Sequence, residues 1–217
     1  MTTYRQRFGL THPPLPRDAC GKTCFQEGDA YGRLARVFEW LAAEPGLGLL
    51  TGEAGCGKTT LMRHLCAQLP EPDHKVIYLC DTRVTAMAVY RGLAAALGLR
   101  PAYRRDELWR QLKAPLAALY ERESVAPLLV LDEAHHLGDD FLHDLAGFLN
   151  HKFDRRDLMT IWLVGLPSLR ARLDLQVHAA LRGRIVSPNT LGPRPPSELA
   201  AMIRHGLRVA GARERLL

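Results

Sequence analysis

A chain of 217 residues with 47% hydrophobic content and a formal charge of +6 can bury a sizeable core and suits one α/β domain, with or without short appendages. No stretch reaches the about 18 uncharged apolar residues of a membrane span, and the first residues carry Arg5, Arg7, Arg17, Asp18 and Lys22 without an apolar run, so neither a span nor a secretory leader is expected and a cytoplasmic location is favoured. Five cysteines, at 20, 24, 56, 66 and 80, are an odd set that fits free thiols in a reducing compartment better than a disulfide framework.

Residues 1–28 read as an irregular segment rich in Pro and Gly. Gly21-Lys22-Thr23 imitates a phosphate loop, but Pro16 stands where the first glycine belongs and no strand leads in. Cys20-x-x-x-Cys24 lacks a second Cys/His pair nearby, so no zinc site is expected. Leu34, Val37, Phe38 and Leu41 share one face of a helix running from Asp29 or Ala30 to Ala43, which Pro45-Gly46 ends.

The apolar run from Leu47 predicts a buried strand over 47–51, and it feeds the stretch on which the chain turns. Gly52-Glu53-Ala54-Gly55-Cys56-Gly57-Lys58-Thr59 fits G-x-x-x-x-G-K-[ST] at every fixed position, and Thr60 onward reads as a helix reaching about Leu69. Such a loop wraps its backbone N–H groups around a phosphate chain, Lys58 reaches the β- and γ-phosphates, and the Thr59 hydroxyl faces Mg²⁺. The chain is therefore expected to bind a nucleoside triphosphate.

Val76 to Cys80 reads as a buried parallel strand, 85–98 as a helix closed by Gly98, and Asp106 to Glu123 as a helix that Pro115 kinks or breaks in two. Leu128 to Leu131 form a further strand ending in Asp132-Glu133, at the carboxyl end where ligands sit in open parallel sheets. Asp132 is placed to hold Mg²⁺ beside Thr59, and Glu133 to orient and deprotonate an attacking water. Asp132-Glu133-Ala134-His135 also spells a helicase box, but a helicase needs a second motor domain and 84 residues remain. His135, His136 and His143 raise metal ligation; the preferred reading has His135 capping the strand end or relaying to the γ-phosphate region.

Asp139 or Asp140 starts an amphipathic helix to about Lys152, and Thr160 to Val164 is the fourth strand, followed by a short helix. Ala180 to Val186 reads as the end of a helix entering a fifth strand. Pro193 to Pro196 is a break, and Ser197 caps a last helix to about Val209. Residues 166–217 carry nine Arg, no Lys and three acids, whereas 1–165 carry 20 of each sign, so the basic excess lies in the last quarter. Arginine without lysine suits bidentate recognition of phosphate, pointing to nucleic acid or an acidic partner; solvated Arg-rich helices are the plain alternative.

Together these motifs resemble the AAA+ ATPases of the ExeA/TniB group, which includes secretion ATPases of the ExeA (GspA) type and ATPase partners of bacterial transposases. The carriers are Phe8-Gly9-Leu10, the loop from Leu50 to Thr60, Leu131 to Leu137, Leu163 to Arg170, Leu181 to Ile185 and Ile203 to Gly211, in the family's order. The resemblance implies a P-loop αβα sandwich around a five-stranded parallel sheet in order 5-1-4-3-2. It implies ATP and Mg²⁺ as ligands, ring or filament homo-oligomers, and Arg184 as a finger reaching a neighbour's γ-phosphate. The core is expected over 29–196, with 197–217 as the start of a helical lid that the sequence does not complete. Leu166 stands where the family commonly has a polar sensor, which puts the rate of hydrolysis in question. The expected role is assembly on double-stranded DNA to recruit or activate a transposase, with assistance of type II secretion or a nucleotide-binding remnant as alternatives.

Overall fold

Five runs rich in Leu, Val and Ile pair into one parallel sheet in the computed structural model, which describes residues 4–16, 19, 21–26, 28–80, 85–151 and 156–212. The strands are β1 (Leu47–Gly52), β2 (His74–Leu79), β3 (Ala126–Leu131), β4 (Thr160–Gly165) and β5 (Ile185–Leu191). Their spatial order is β2-β3-β4-β1-β5, the expected 5-1-4-3-2 taken from the other edge. Leu47–Thr51 pair with Ile161–Gly165, and Leu128–Leu131 with Thr160–Leu163. This register brings the carboxyl ends of β1, β3 and β4 side by side, and with them the loop at 52–59, Asp132-Glu133 and Leu166.

Among the described residues, the longer helices are α1 (Asp29–Ala43), α2 (Lys58–Cys66), α3 (Ala86–Ala96), α4 (Arg105–Arg122), α5 (Asp139–Leu149), α6 (Pro167–Leu173) and α7 (Pro196–Val209), with short helical turns at Tyr4–Phe8 and Ala179–Arg182. Alternate residues of each strand face opposite layers, as the two-residue period requires. Leu47, Leu49, Leu129, Leu131, Ile161 and Leu163 pack under α3, α4 and α5, while Leu50, Leu128, Val130, Trp162 and Val164 pack under α1 and α2. Trp162 is fully buried and stacks on Phe38 with ring centroids 5.7 Å apart. A ring so enclosed contributes about 3–5 kcal/mol relative to alanine.

Several local expectations are corrected. β2 is an edge strand, so Val76 and Tyr78 lie substantially exposed rather than buried. α4 runs unbroken through Pro115 because Leu108, Leu112 and Leu116, one turn apart, are fully buried and hold the flanking turns against the core. α2 ends at Cys66, short of Leu69. α5 ends at Leu149, where Asn150–His151 pair with Arg156–Asp157 instead of continuing the helix, and Lys152 lies outside the described residues. Ser197 does not cap α7; Pro196 occupies the first turn, where its missing N–H costs nothing. The tripeptide Gly21–Thr23 is a single 3₁₀ turn, and no strand precedes it among the described residues. Cys24, Cys56, Cys66 and Cys80 are free thiols, and burial pushes that of Cys66 up to about 12.

Candidate functional site

Between β1 and α2 the backbone curls through Gly55 and Gly57 at φ 80° and 92°, left-handed values that a side chain would strain. α2 begins at Lys58 without a side-chain cap, so its first N–H groups remain available to an anion. Lys58 is buried at 7% exposure, and its ammonium donates to the carbonyls of Gly52 at 2.9 Å and Glu53 at 3.0 Å. The lysine is thereby held across the loop it is expected to serve, with Ala54, Cys56 and Thr60 lining the adjoining space.

Across the sheet the Asp132 carboxylate is also buried, at 2% exposure. Thr59 Oγ1 donates to its Oδ2 at 2.7 Å, the Tyr78 hydroxyl donates to the same oxygen at 2.6 Å, and the Glu133 N–H donates to Oδ1 at 2.9 Å. Thr59 and Asp132, 73 positions apart in sequence, thus present two hard oxygens side by side, a donor set suited to Mg²⁺. Tyr78 was not singled out from sequence. The β2–β3 register sets it opposite Val130, which places it on the face of the sheet that Asp132 shares. Burial, and then the bond to Asp132, push its hydroxyl well above the usual range, so it stays a donor.

Glu133 adopts φ 54° and ψ 33°, a left-handed conformation of the kind that costs about 1–3 kcal/mol in a non-glycine residue and gathers at functional sites. The turn leaves its carboxylate half exposed, with Oε2 3.5 Å from His135 Nδ1. His135 is nearly enclosed, and its Nδ1 also accepts from the Leu166 N–H at 3.4 Å. Burial first, then the neighbouring His136, hold the ring's basicity down. The three histidines raised as metal ligands separate: His135 and His136 lie together with centroids 4.0 Å apart, while His143 lies 5.0 Å from His178.

Arg172 on α6 holds the turn after Glu133 in place, donating to the carbonyls of His135 at 3.1 Å and Leu137 at 2.6 Å and to Asp139 at 2.8 Å. That bond above all keeps the Asp139 carboxyl below its ordinary range. Arg184 stands just before β5, at the opposite end of the sheet from Gly52–Thr59, and pairs with Asp157 at 2.9 Å with both side chains largely covered.

A cavity of about 520 Å³ adjoins the loop. One wall is the loop itself and the start of α2; the others come from Leu15, Pro16 and Thr23–Phe25, from Pro193-Arg194, and from Met202 and His205 on α7. The two ends of the chain are stitched together there. The Thr11 N–H donates to Ala210 O at 2.8 Å, His205 Nε2 lies 2.9 Å from Lys22 O, and the rings of Phe25 and His205 meet edge to face. From sequence this N-terminal segment was only irregular. Its apolar members Leu15 and Phe25 gave no periodicity to read.

A family model described as AAA domain matches residues 42–173. General secretion pathway protein A of Aeromonas hydrophila is 31% identical over 220 residues, a match covering 96% of this chain and 38% of that protein. The chain therefore spans little more than a third of that relative's length. Among solved structures, the Aeropyrum pernix ORC2 protein in its ADP form superposes with a TM-score of 0.68 at 16% identity, covering 93% of this chain and 57% of that one. Cdc6p from Pyrobaculum aerophilum gives 0.65 at 18%, covering 84% and 49%. At such identities these two likenesses speak for the fold.

Proposed function

Because this chain belongs to the AAA domain family, we propose that it binds ATP with Mg²⁺ and hydrolyses it at the carboxyl ends of β1 and β3. The observation that carries this reading is the 2.7 Å contact between Thr59 and Asp132, which joins the phosphate loop to the strand end bearing Glu133. The loop backbone from Gly52 to Thr60 takes the phosphate chain, and Lys58 turns from its two carbonyls to the β- and γ-phosphate oxygens. Thr59 and Asp132 would hold Mg²⁺, which supplies neutralising charge between those phosphates. Glu133 accepts a proton from the attacking water. The mostly apolar cavity beside the loop takes the base. Residues 29–196 are the catalytic core in this reading, and Leu15, Phe25 and α7 cover that cavity.

Tyr78 belongs to the same machinery, because it fixes the carboxylate that holds the metal. Tyr78→Phe is expected to raise the Mg²⁺ concentration for half-maximal turnover about tenfold or more, the usual effect of removing a group that orients a metal ligand. A Mg²⁺ titration of phosphate release reads it directly, and an unchanged midpoint would remove Tyr78 from the metal site.

For the biological role, the identity to the Aeromonas hydrophila protein favours an ATPase that assists assembly of a secretion apparatus, acting as a ring or filament of copies. Arg184 completes a neighbour's site in such an assembly after exchanging Asp157 for the γ-phosphate. No helix among the described residues is long and apolar enough to cross a membrane. The second reading, assembly on duplex DNA to recruit a transposase, draws on the nine arginines of residues 166–217. Among the described residues, five of them are engaged inside the chain: Arg170 and Arg182 with Asp174, Arg172 with Asp139, Arg184 with Asp157 and Arg194 with Glu198. Salt titration of ATP-dependent binding to nonspecific duplex DNA separates the two. Affinity that falls steeply with salt supports the DNA reading, and affinity indifferent to both ATP and salt rejects it. Hydrolysis itself is tested by phosphate release from the wild type and Glu133→Gln; equal, background-level release from both would reduce the protein to a binding module.

A further inference from the structure

The carboxylate read above as the water-activating base has a neighbour that the mechanism leaves without a task. His135 lies two residues beyond Glu133 in the 3₁₀ turn Ala134–His136, and one atom of its ring, Nδ1, faces two elements at once. It lies 3.5 Å from Glu133 Oε2 and 3.4 Å from the Leu166 N–H at the end of β4. The turn that carries the ring is held on both sides. Gly165 leaves room for it: a Cβ there would stand 3.1 Å from His135 N and 3.3 Å from Nδ1. From the other side Arg172 holds the His135 carbonyl at 3.1 Å. The Leu166 side chain is apolar, so at this strand end only its backbone offers a polar group.

We infer that His135 is a positioning residue for Glu133, coupling its carboxylate to the end of β4 through the Leu166 backbone where the Leu166 side chain cannot. The inference rests on the ATPase reading. Nδ1 serves one partner at a time. With the ring proton on Nε2, Nδ1 accepts from Leu166 and leaves the Glu133 carboxylate to the water. With the proton on Nδ1, the ring donates to Oε2 and draws the carboxylate back from it. The neutral ring favoured by its enclosure keeps both arrangements accessible, so a shift of β4 against the turn changes what Glu133 can do without altering the phosphate loop.

The test compares wild type, His135→Ala, His135→Asn, Glu133→Gln and the double variant Glu133→Gln/His135→Ala. It measures ATP affinity by titration, kcat and KM for phosphate release, and the thermal midpoint as a check on folding. His135→Ala is expected to lower kcat about 10- to 100-fold with KM and ATP affinity within about twofold, the signature of a contact that matters only in the reacting state. His135→Asn, whose amide can place a donor or acceptor near the Nδ1 position, is expected to recover most of that loss. The double variant is expected to be no slower than Glu133→Gln, since His135 acts through the group already removed. A rapid wild type with His135→Ala equally rapid overturns the inference alone, as does a double variant slower than Glu133→Gln. A wild type no faster than Glu133→Gln overturns the ATPase reading and the inference with it.

Discussion

Lys58→Ala is expected to weaken ATP binding by two or more powers of ten while leaving the fold intact. The ammonium is nearly enclosed and already bonded to two loop carbonyls, 2.9 and 3.0 Å away. The two carbonyls hold it at the loop before any phosphate arrives, and on binding it exchanges them for phosphate oxygens. Two bonds to neutral carbonyls are given up for bonds to charged oxygens, so the net gain is the attraction of opposite charges, about 4 kcal/mol for a pair about 4 Å apart at the effective dielectric of a protein surface. At about 1.4 kcal/mol per factor of ten, that is the expected loss in Kd. Calorimetric titration with ATP and Mg²⁺ measures it, with far-ultraviolet circular dichroism as the check on folding. A folded variant that binds within threefold of wild type would mean that the loop does not carry the affinity.

Glu133→Gln separates holding from turning over. The substitution keeps shape and backbone preference, so the left-handed turn at φ 54° is as strained in the variant as in the wild type. What disappears is the ability to accept a proton. Removing a positioned general base lowers kcat about 10²- to 10⁴-fold, and ATP affinity is expected to stay within about threefold because Lys58, Thr59 and Asp132 are untouched. Single-turnover phosphate release with the variant saturated in ATP is the measurement. A variant that turns over at the wild-type rate would assign the proton to another group, whereas one that loses binding as well would mean that Glu133 shapes the loop rather than the chemistry.

The parts of this site that could be read from sequence are those written in consecutive residues. Gly52–Thr59 declares itself by spacing, Leu128–Glu133 by an apolar run broken by two carboxylates, and the sheet order follows from the resemblance these motifs carry. What stayed hidden is made by pairings that spacing does not encode. Tyr78 reaches Asp132 only through the β2–β3 register, and Leu166 meets His135, 31 positions away, only because β3 and β4 are neighbours. The cavity wall at Leu15 and Phe25 belongs to a segment with no period at all. Pro115 and Ser197 misled for a related reason: burial at Leu108, Leu112 and Leu116 outweighs one missing N–H, and Pro196 supplies a helix start that needs no cap.

The stitch between Thr11 and Ala210 closes across 199 positions. The cavity beside this stitch is lined by the phosphate loop and by residues of both joined segments, Leu15 and Gly206 among them. By mass action a molecule seated there adds stability only to the closed form, so its release and the parting of Thr11 from Ala210 are linked events.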